Sequence, residues 1–115
     1  MTVNVGDTIP SWTLEEVDPQ HMKTMAALLQ DPYPIHWDTA AVAELGLGER
    51  VINQGPLSLS YITNMLLAWQ GVDCLRGLKA SFPAPVFGGE SVTAGGLVTE
   101  LVEVSGERRA HCDVW

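Results

Sequence analysis

The sequence predicts an α+β domain, in which one long uncharged helix is followed by an antiparallel run of strands. Three observations lead there. Residues 57–70 carry no charged side chain and lie between Gly55-Pro56 and Gly71, a helix start and a helix stop. After Gly71 the apolar residues alternate or come in short runs, the period of strands. Earlier in the chain, the stretch Asp31-Pro32-Tyr33-Pro34-Ile35-His36-Trp37-Asp38 separates two helical patterns. Its two prolines fix their own φ and push the residues before them toward extended geometry.

Taken in order, Thr8 to Val17 alternates loosely between apolar and polar residues and reads as a strand. Asp18 is placed to cap a helix whose first residue is Pro19. Met22, Met25, Ala26 and Leu29 recur at helical spacing, and the helix should stop at Asp31-Pro32. Asp38 is a second N-cap candidate, ahead of a short helix through Ala41 and Leu45 that ends near Gly46 or Gly48. The helix from about 55 to 70 should be about 22 Å long. Its lack of charge predicts burial nearly all round. Ser60, Thr63, Asn64 and Leu67 share one of its faces. Leu75 to Phe82, Ser91 to Val104 and Arg108 to Trp115 are strand candidates. Gly95-Gly96 suggests a bulge or a close backbone approach, and Ser105-Gly106 suggests the turn between the last two strands.

With 115 residues the default is one domain, and an apolar content of 46% against 17% charged residues is that of a globular chain. A net charge of −8 argues against nonspecific binding to nucleic acid or to an anionic membrane. Cys74 and Cys112 are isolated thiols without CxxC spacing, and His21, His36 and His111 are scattered. No metal site is therefore expected. Met1 to Gly6 lack both a basic stretch and an apolar run, and no segment approaches the roughly 20 apolar residues that span a bilayer. A reducing cytoplasm is the expected location.

The residues that carry chemistry are Asp31 and His36. A carboxylate and an imidazole on one stiff turn can take a proton from water and return it near neutral pH. The bland alternative for Asp31 is a turn carboxylate beside proline. Asp38 is read as a helix cap, His21 and His111 as structural histidines, and Trp12, Trp37 and Trp69 as core or interface residues.

Together with Gly55 and the run Phe82-Pro83-Ala84-Pro85-Val86-Phe87-Gly88-Gly89-Glu90-Ser91-Val92, the pattern Asp-x-x-Pro-aliphatic-His at 31–36 resembles the MaoC-like hydratases and dehydratases. These form the (R)-specific enoyl-CoA hydratase branch of the hotdog superfamily. The resemblance runs from Val5-Gly6-Asp7 to Trp115. It implies a hotdog fold, with an antiparallel sheet wrapped around a central helix at residues 55–70. It implies Asp31 and His36 as catalytic residues, the backbone N–H of Gly55 as oxyanion donor, and Ser60 as the position of a serine found in some relatives. Tyr33 stands where the family has Asn, which alters the catalytic turn. Tyr33, Ser60 and Asn64 are candidates for the substrate pocket. Gly55 could also serve only as a helix cap, and Ser60, Thr63 and Asn64 could pack at a dimer seam.

The activity so implied is reversible, cofactor-free hydration of a 2-enoyl-CoA to a 3-hydroxyacyl-CoA. The implied partners are an acyl-CoA and a second hotdog subunit, in a homodimer or a heteromer. Arg50, Lys79, Arg108 and Arg109 could meet CoA phosphates or lie simply solvated. The small residues Ser58, Ser60, Thr63 and Ala68 permit a bulky acyl group. By the same resemblance, residues 1–115 would form a single domain without the family's last strand. That shortfall and Tyr33 favour a second reading, a weakly active or inactive subunit of a heteromeric hydratase. A thioesterase on the same fold is a third, disfavoured because residues 56–70 hold no Asp or Glu. A pure binding module would leave the Asp31/His36 spacing a coincidence.

Overall fold

The computed structural model describes residues 2–115. Its elements are strand β1 (Thr8–Leu14), helix α1 (Pro19–Leu29), a 3-10 turn (Pro34–His36), helix α2 (Thr39–Glu44), helix α3 (Gly55–Gln70) and strands β2 (Val92–Val104) and β3 (Glu107–Val114). Residues group into two compact units. The first holds the segment ending at Thr13 with Tyr61–Leu78 and Thr93–Trp115, and the second holds Leu14–Ser60 and Lys79–Val92.

The first unit carries a three-stranded sheet in the order β1-β2-β3. β2 and β3 are antiparallel and joined by Ser105-Gly106, whose φ values of 52° and 78° are both left-handed. That is the turn whose twist matches a two-residue hairpin. Between Val98 and Glu100 the register shifts, leaving Thr99 as the extra residue, and its hydroxyl donates to the His111 carbonyl at 3.1 Å. β1 runs antiparallel to β2: Gly6 and Asp7 bond to Val98, while Thr13 meets Thr93 at the other end.

Gly95 and Gly96 serve close approach, and the bulge falls beyond them. A Cβ on Gly95 would lie 2.6 Å from the Trp115 indole nitrogen, and one on Gly96 would lie 2.7 Å from the Ile9 side chain and 3.0 Å from the Asp113 carbonyl. Ile9 and Ala94 of the sheet form a buried cluster with Met65 and Leu66 of α3, flanked by Trp12, Ile62, Trp69, Cys74, Cys112 and Val114. Trp12 also stacks on Tyr61, with centroids 5.7 Å apart.

In the second unit both predicted caps form. Asp18 accepts from the Gln20 N–H and Asp38 from the Ala40 N–H, each at 2.9 Å. α1 ends at Leu29, with Gln30 left-handed and its N–H returning to the Ala26 and Ala27 carbonyls, an αL stop. Val17, Met22, Val42, Val51, Ile52 and Leu57 are buried here.

Two expectations are corrected. Leu75 to Phe82 is irregular, not a strand. Strand propensity alone makes no strand, and β2 already has β1 on one edge and β3 on the other. α3 is not buried nearly all round: Leu57, Met65 and Leu66 are buried, whereas Pro56, Asn64, Ala68 and Gln70 are exposed. An uncharged helix therefore has a face open to solvent within this chain. Of the two readings of Trp37, core or interface, its 45% exposure within this chain excludes the core, and its indole N–H donates to the Pro32 carbonyl.

Arg76, in the irregular segment, grips Glu107 of β3 through two bonds of 3.0 Å, and Arg109 adds a third at 2.9 Å. These hydrogen bonds hold the Glu107 carboxyl down at about 2. A depressed carboxyl stabilises the fold above its unfolded pKa, and that contribution is lost as pH falls toward 2. The pairs are solvent-exposed, so the effect is small. The melting temperature of Glu107→Gln should lie below wild type at pH 6, and the gap should close as pH falls from about 4.5 to about 2. A gap independent of pH would show that the carboxylate is not the cause.

Candidate active site

The residues from Asp31 to His36 fold as two linked turns. The Asp31 N–H returns to the Ala26 carbonyl at 3.0 Å, closing the end of α1, and its carboxylate accepts the Tyr33 N–H at 3.2 Å. This is the turn role open to any Asp beside proline, and it leaves Asp31 exposed. Pro34 then opens the 3-10 turn that ends at His36. The Tyr33 ring stands edge-on to the His36 ring, with centroids 6.1 Å apart.

His36 is buried, at 9% exposure. Its Nδ1 lies 2.6 Å from the Ile52 carbonyl, and the Ile52 N–H returns to the Ile35 carbonyl at 2.9 Å. A carbonyl oxygen can only accept, so the ring proton sits on Nδ1. In the neutral ring, Nε2 then carries the free lone pair. That tautomer is the one a proton acceptor needs, fixed by a main-chain group.

Three residues after this anchor, α3 begins at Gly55. A Cβ there would lie 3.0–3.2 Å from the Phe82 ring, so glycine permits the ring to cover the helix start. The first N–H groups of a helix lack intrahelical acceptors and carry the positive end of its dipole. Val51 to Gln54, leading into the helix, are all buried. The Asn53 N–H donates to the Val86 carbonyl at 2.7 Å, and its side-chain amide donates to the Ser58 hydroxyl at 3.0 Å. Gln54 is 1% exposed and donates to the Met22 carbonyl at 2.7 Å. Its side-chain oxygen has no hydrogen-bond partner among the described residues, an arrangement that costs about 1–3 kcal/mol.

The second unit thus holds Asp31, Tyr33, His36, Gly55 and Ser60. Tyr33 contacts both Asp31 and the His36 ring, and His36 is bound to the segment that leads into Gly55. Ser60 turns its hydroxyl back onto the Leu57 carbonyl. Asn64 is exposed and belongs to the first unit. Sequence reasoning missed the Ile52 carbonyl, Gln54 and the Phe82 ring over Gly55. A backbone carbonyl leaves no sequence signal. Gln54, a polar residue after the apolar Val51-Ile52, left one that could have been read.

Similarity to known proteins shows the family and the fold. The family model described as MaoC like domain matches residues 3–112. An (R)-hydratase from A. caviae involved in PHA biosynthesis is 32% identical, with a TM-score of 0.78 over 89% of this chain and 76% of that one. The MaoC-like dehydratase from Rhodospirillum rubrum shares the fold at 21% identity and a TM-score of 0.74, over 97% of this chain and 80% of that one. So does the ChsH1-ChsH2 complex from Mycobacterium tuberculosis, at 18% identity and 0.75, over 99% and 96%. No curated protein matches the chain. The fold is the hotdog fold, with the antiparallel sheet and central helix that the sequence predicts.

Phe82 is half exposed, so its ring can yield to a methyl group at residue 55. Ala also gains about 0.5–1 kcal/mol over Gly in a helix. Gly55→Ala should therefore melt within about 5 °C of wild type. A much larger fall in a thermal melt would show that the ring is held in place.

Proposed function

This chain belongs to the MaoC-like dehydratase family, a family of hydratases and dehydratases, and we propose that its reaction is the reversible addition of water to the double bond of a 2-enoyl-CoA. The observation that carries this reading is the Nδ1–H of His36 on the Ile52 carbonyl, which leaves Nε2 as a lone pair. The identity of 32% to an (R)-hydratase supports it and favours the (R)-3-hydroxyacyl product.

In this mechanism one water donates its two O–H groups to the Asp31 carboxylate and to His36 Nε2. Its oxygen lone pair is then free to attack Cβ of the thioester. As the C–O bond forms, Asp31 takes the water proton as main base while His36 orients the water. The electron pair of the double bond moves through Cα to the thioester oxygen, where the Gly55 N–H meets the developing charge. The dyad then returns the proton to Cα, so the net change is one added water. No electrons are transferred, and the chemistry needs no cofactor. Tyr33, at the position of the family's Asn, would border the substrate beside His36, with Ser60 as a further candidate for the acyl pocket.

A second reading is favoured by the uncharged, solvent-facing side of α3 and by the fold shared with a complex of two different subunits. In it the chain acts with another hotdog subunit. A homodimer would cover the same face.

The test is hydration of crotonyl-CoA, followed by loss of the enoyl-thioester absorbance. Asp31→Asn should lower kcat by about 10²–10⁴-fold with little change in the melting temperature. Turnover by that variant equal to wild type rejects the assignment of Asp31. Activity that appears only on mixing with a second hotdog subunit selects the heteromeric reading.

A further inference from the structure

Gln54 immediately precedes Gly55 and is almost wholly buried, yet its side-chain oxygen is unpartnered among the described residues. A Met or Leu would fill such a position without stranding a polar atom. Buried polar groups that break this rule concentrate at functional sites. The other contacts of Gln54 suggest what the residue does there. Its side-chain NH₂ donates to the Met22 carbonyl of α1 at 2.7 Å, and its main-chain carbonyl accepts the Ser58 N–H of α3 at 3.0 Å.

The peptide unit between Gln54 and Gly55 contains that same carbonyl and the Gly55 N–H. Among the described residues no peptide bond is cis, so in this planar unit the C=O and the N–H point in opposite directions. With the carbonyl directed along the helix to Ser58, the Gly55 N–H is directed out of the helix start. Whatever fixes Gln54 therefore fixes the aim of that N–H.

We propose that Gln54 is a positioning residue: its carboxamide, anchored on the Met22 carbonyl, holds the Gln54–Gly55 peptide so that the Gly55 N–H meets the thioester oxygen. The role rests on the hydratase reading given above. A donor that acts on charge formed in the transition state affects kcat more than KM.

Two variants test it. Gln54→Met keeps the volume and removes the anchor; kcat for crotonyl-CoA should fall about 10–100-fold, with KM changed less than about threefold. Gln54→Glu keeps a donor only while its buried carboxyl is protonated. Its kcat relative to wild type should therefore fall as pH rises, whereas the Gln54→Met ratio should stay flat. A purely structural residue would shift the melting temperature without moving either ratio. Hydrogen exchange at the Ser58 amide reports on the anchor without any substrate and should accelerate about tenfold or more in Gln54→Met. Unchanged Ser58 exchange overturns the proposal, as does a folded Gln54→Met with kcat within about twofold of wild type. If wild type does not hydrate enoyl-CoA, the reaction assignment falls, while Ser58 exchange still decides whether Gln54 holds the peptide.

Discussion

The bond between His36 Nδ1 and the Ile52 carbonyl is the constraint from which the site follows. At 2.6 Å it fixes both the ring's orientation and its tautomer. It also ties the proline-rich turn to the buried stretch Val51–Gln54, which runs directly into α3. The reciprocal bond from the Ile52 N–H to the Ile35 carbonyl makes the junction two-sided. The side chain proposed as catalytic and a helix start far from it in sequence are thereby held on one scaffold. Preorganisation of this kind is how a folded chain supplies aligned groups without reordering them at each turnover.

Much of the fold was legible because it depends on local chemistry. Asp18 and Asp38 cap helices since a short carboxylate reaches the N–H two residues on. Ser105-Gly106 turns the hairpin, and Gly55 and Gly71 bound α3. The segment Leu75 to Phe82 was not legible, because a strand exists only where a neighbouring ladder accepts it. The open face of α3 was misread for a related reason. Absence of charge says that a surface tolerates burial, but it does not say that this chain alone supplies the cover. Position and type of Asp31, Tyr33, His36 and Gly55 could be read from their order in the chain. Their partners could not, since the Ala26 and Ile52 carbonyls are main-chain groups that every residue carries.

Close backbone approach is a second theme. Gly95 and Gly96 let Trp115, Ile9 and the main chain at Asp113 come within distances that a Cβ would forbid, and Gly55 does the same for Phe82. In the sheet this compacts the core cluster around Ile9, Met65, Leu66 and Ala94. At the helix start it sets an aromatic ring beside the N–H groups proposed to meet the substrate. The same absence of a side chain thus serves packing in one unit and the proposed chemistry in the other.

The most direct measurement is a crystal structure with a 3-hydroxyacyl-CoA bound. The account predicts the 3-hydroxyl within about 2.6–3.2 Å of both the Asp31 carboxylate and His36 Nε2. It predicts the thioester oxygen at about 2.7–3.1 Å from the Gly55 nitrogen. A ligand whose hydroxyl reaches neither side chain, or whose thioester oxygen lies away from the start of α3, would contradict it.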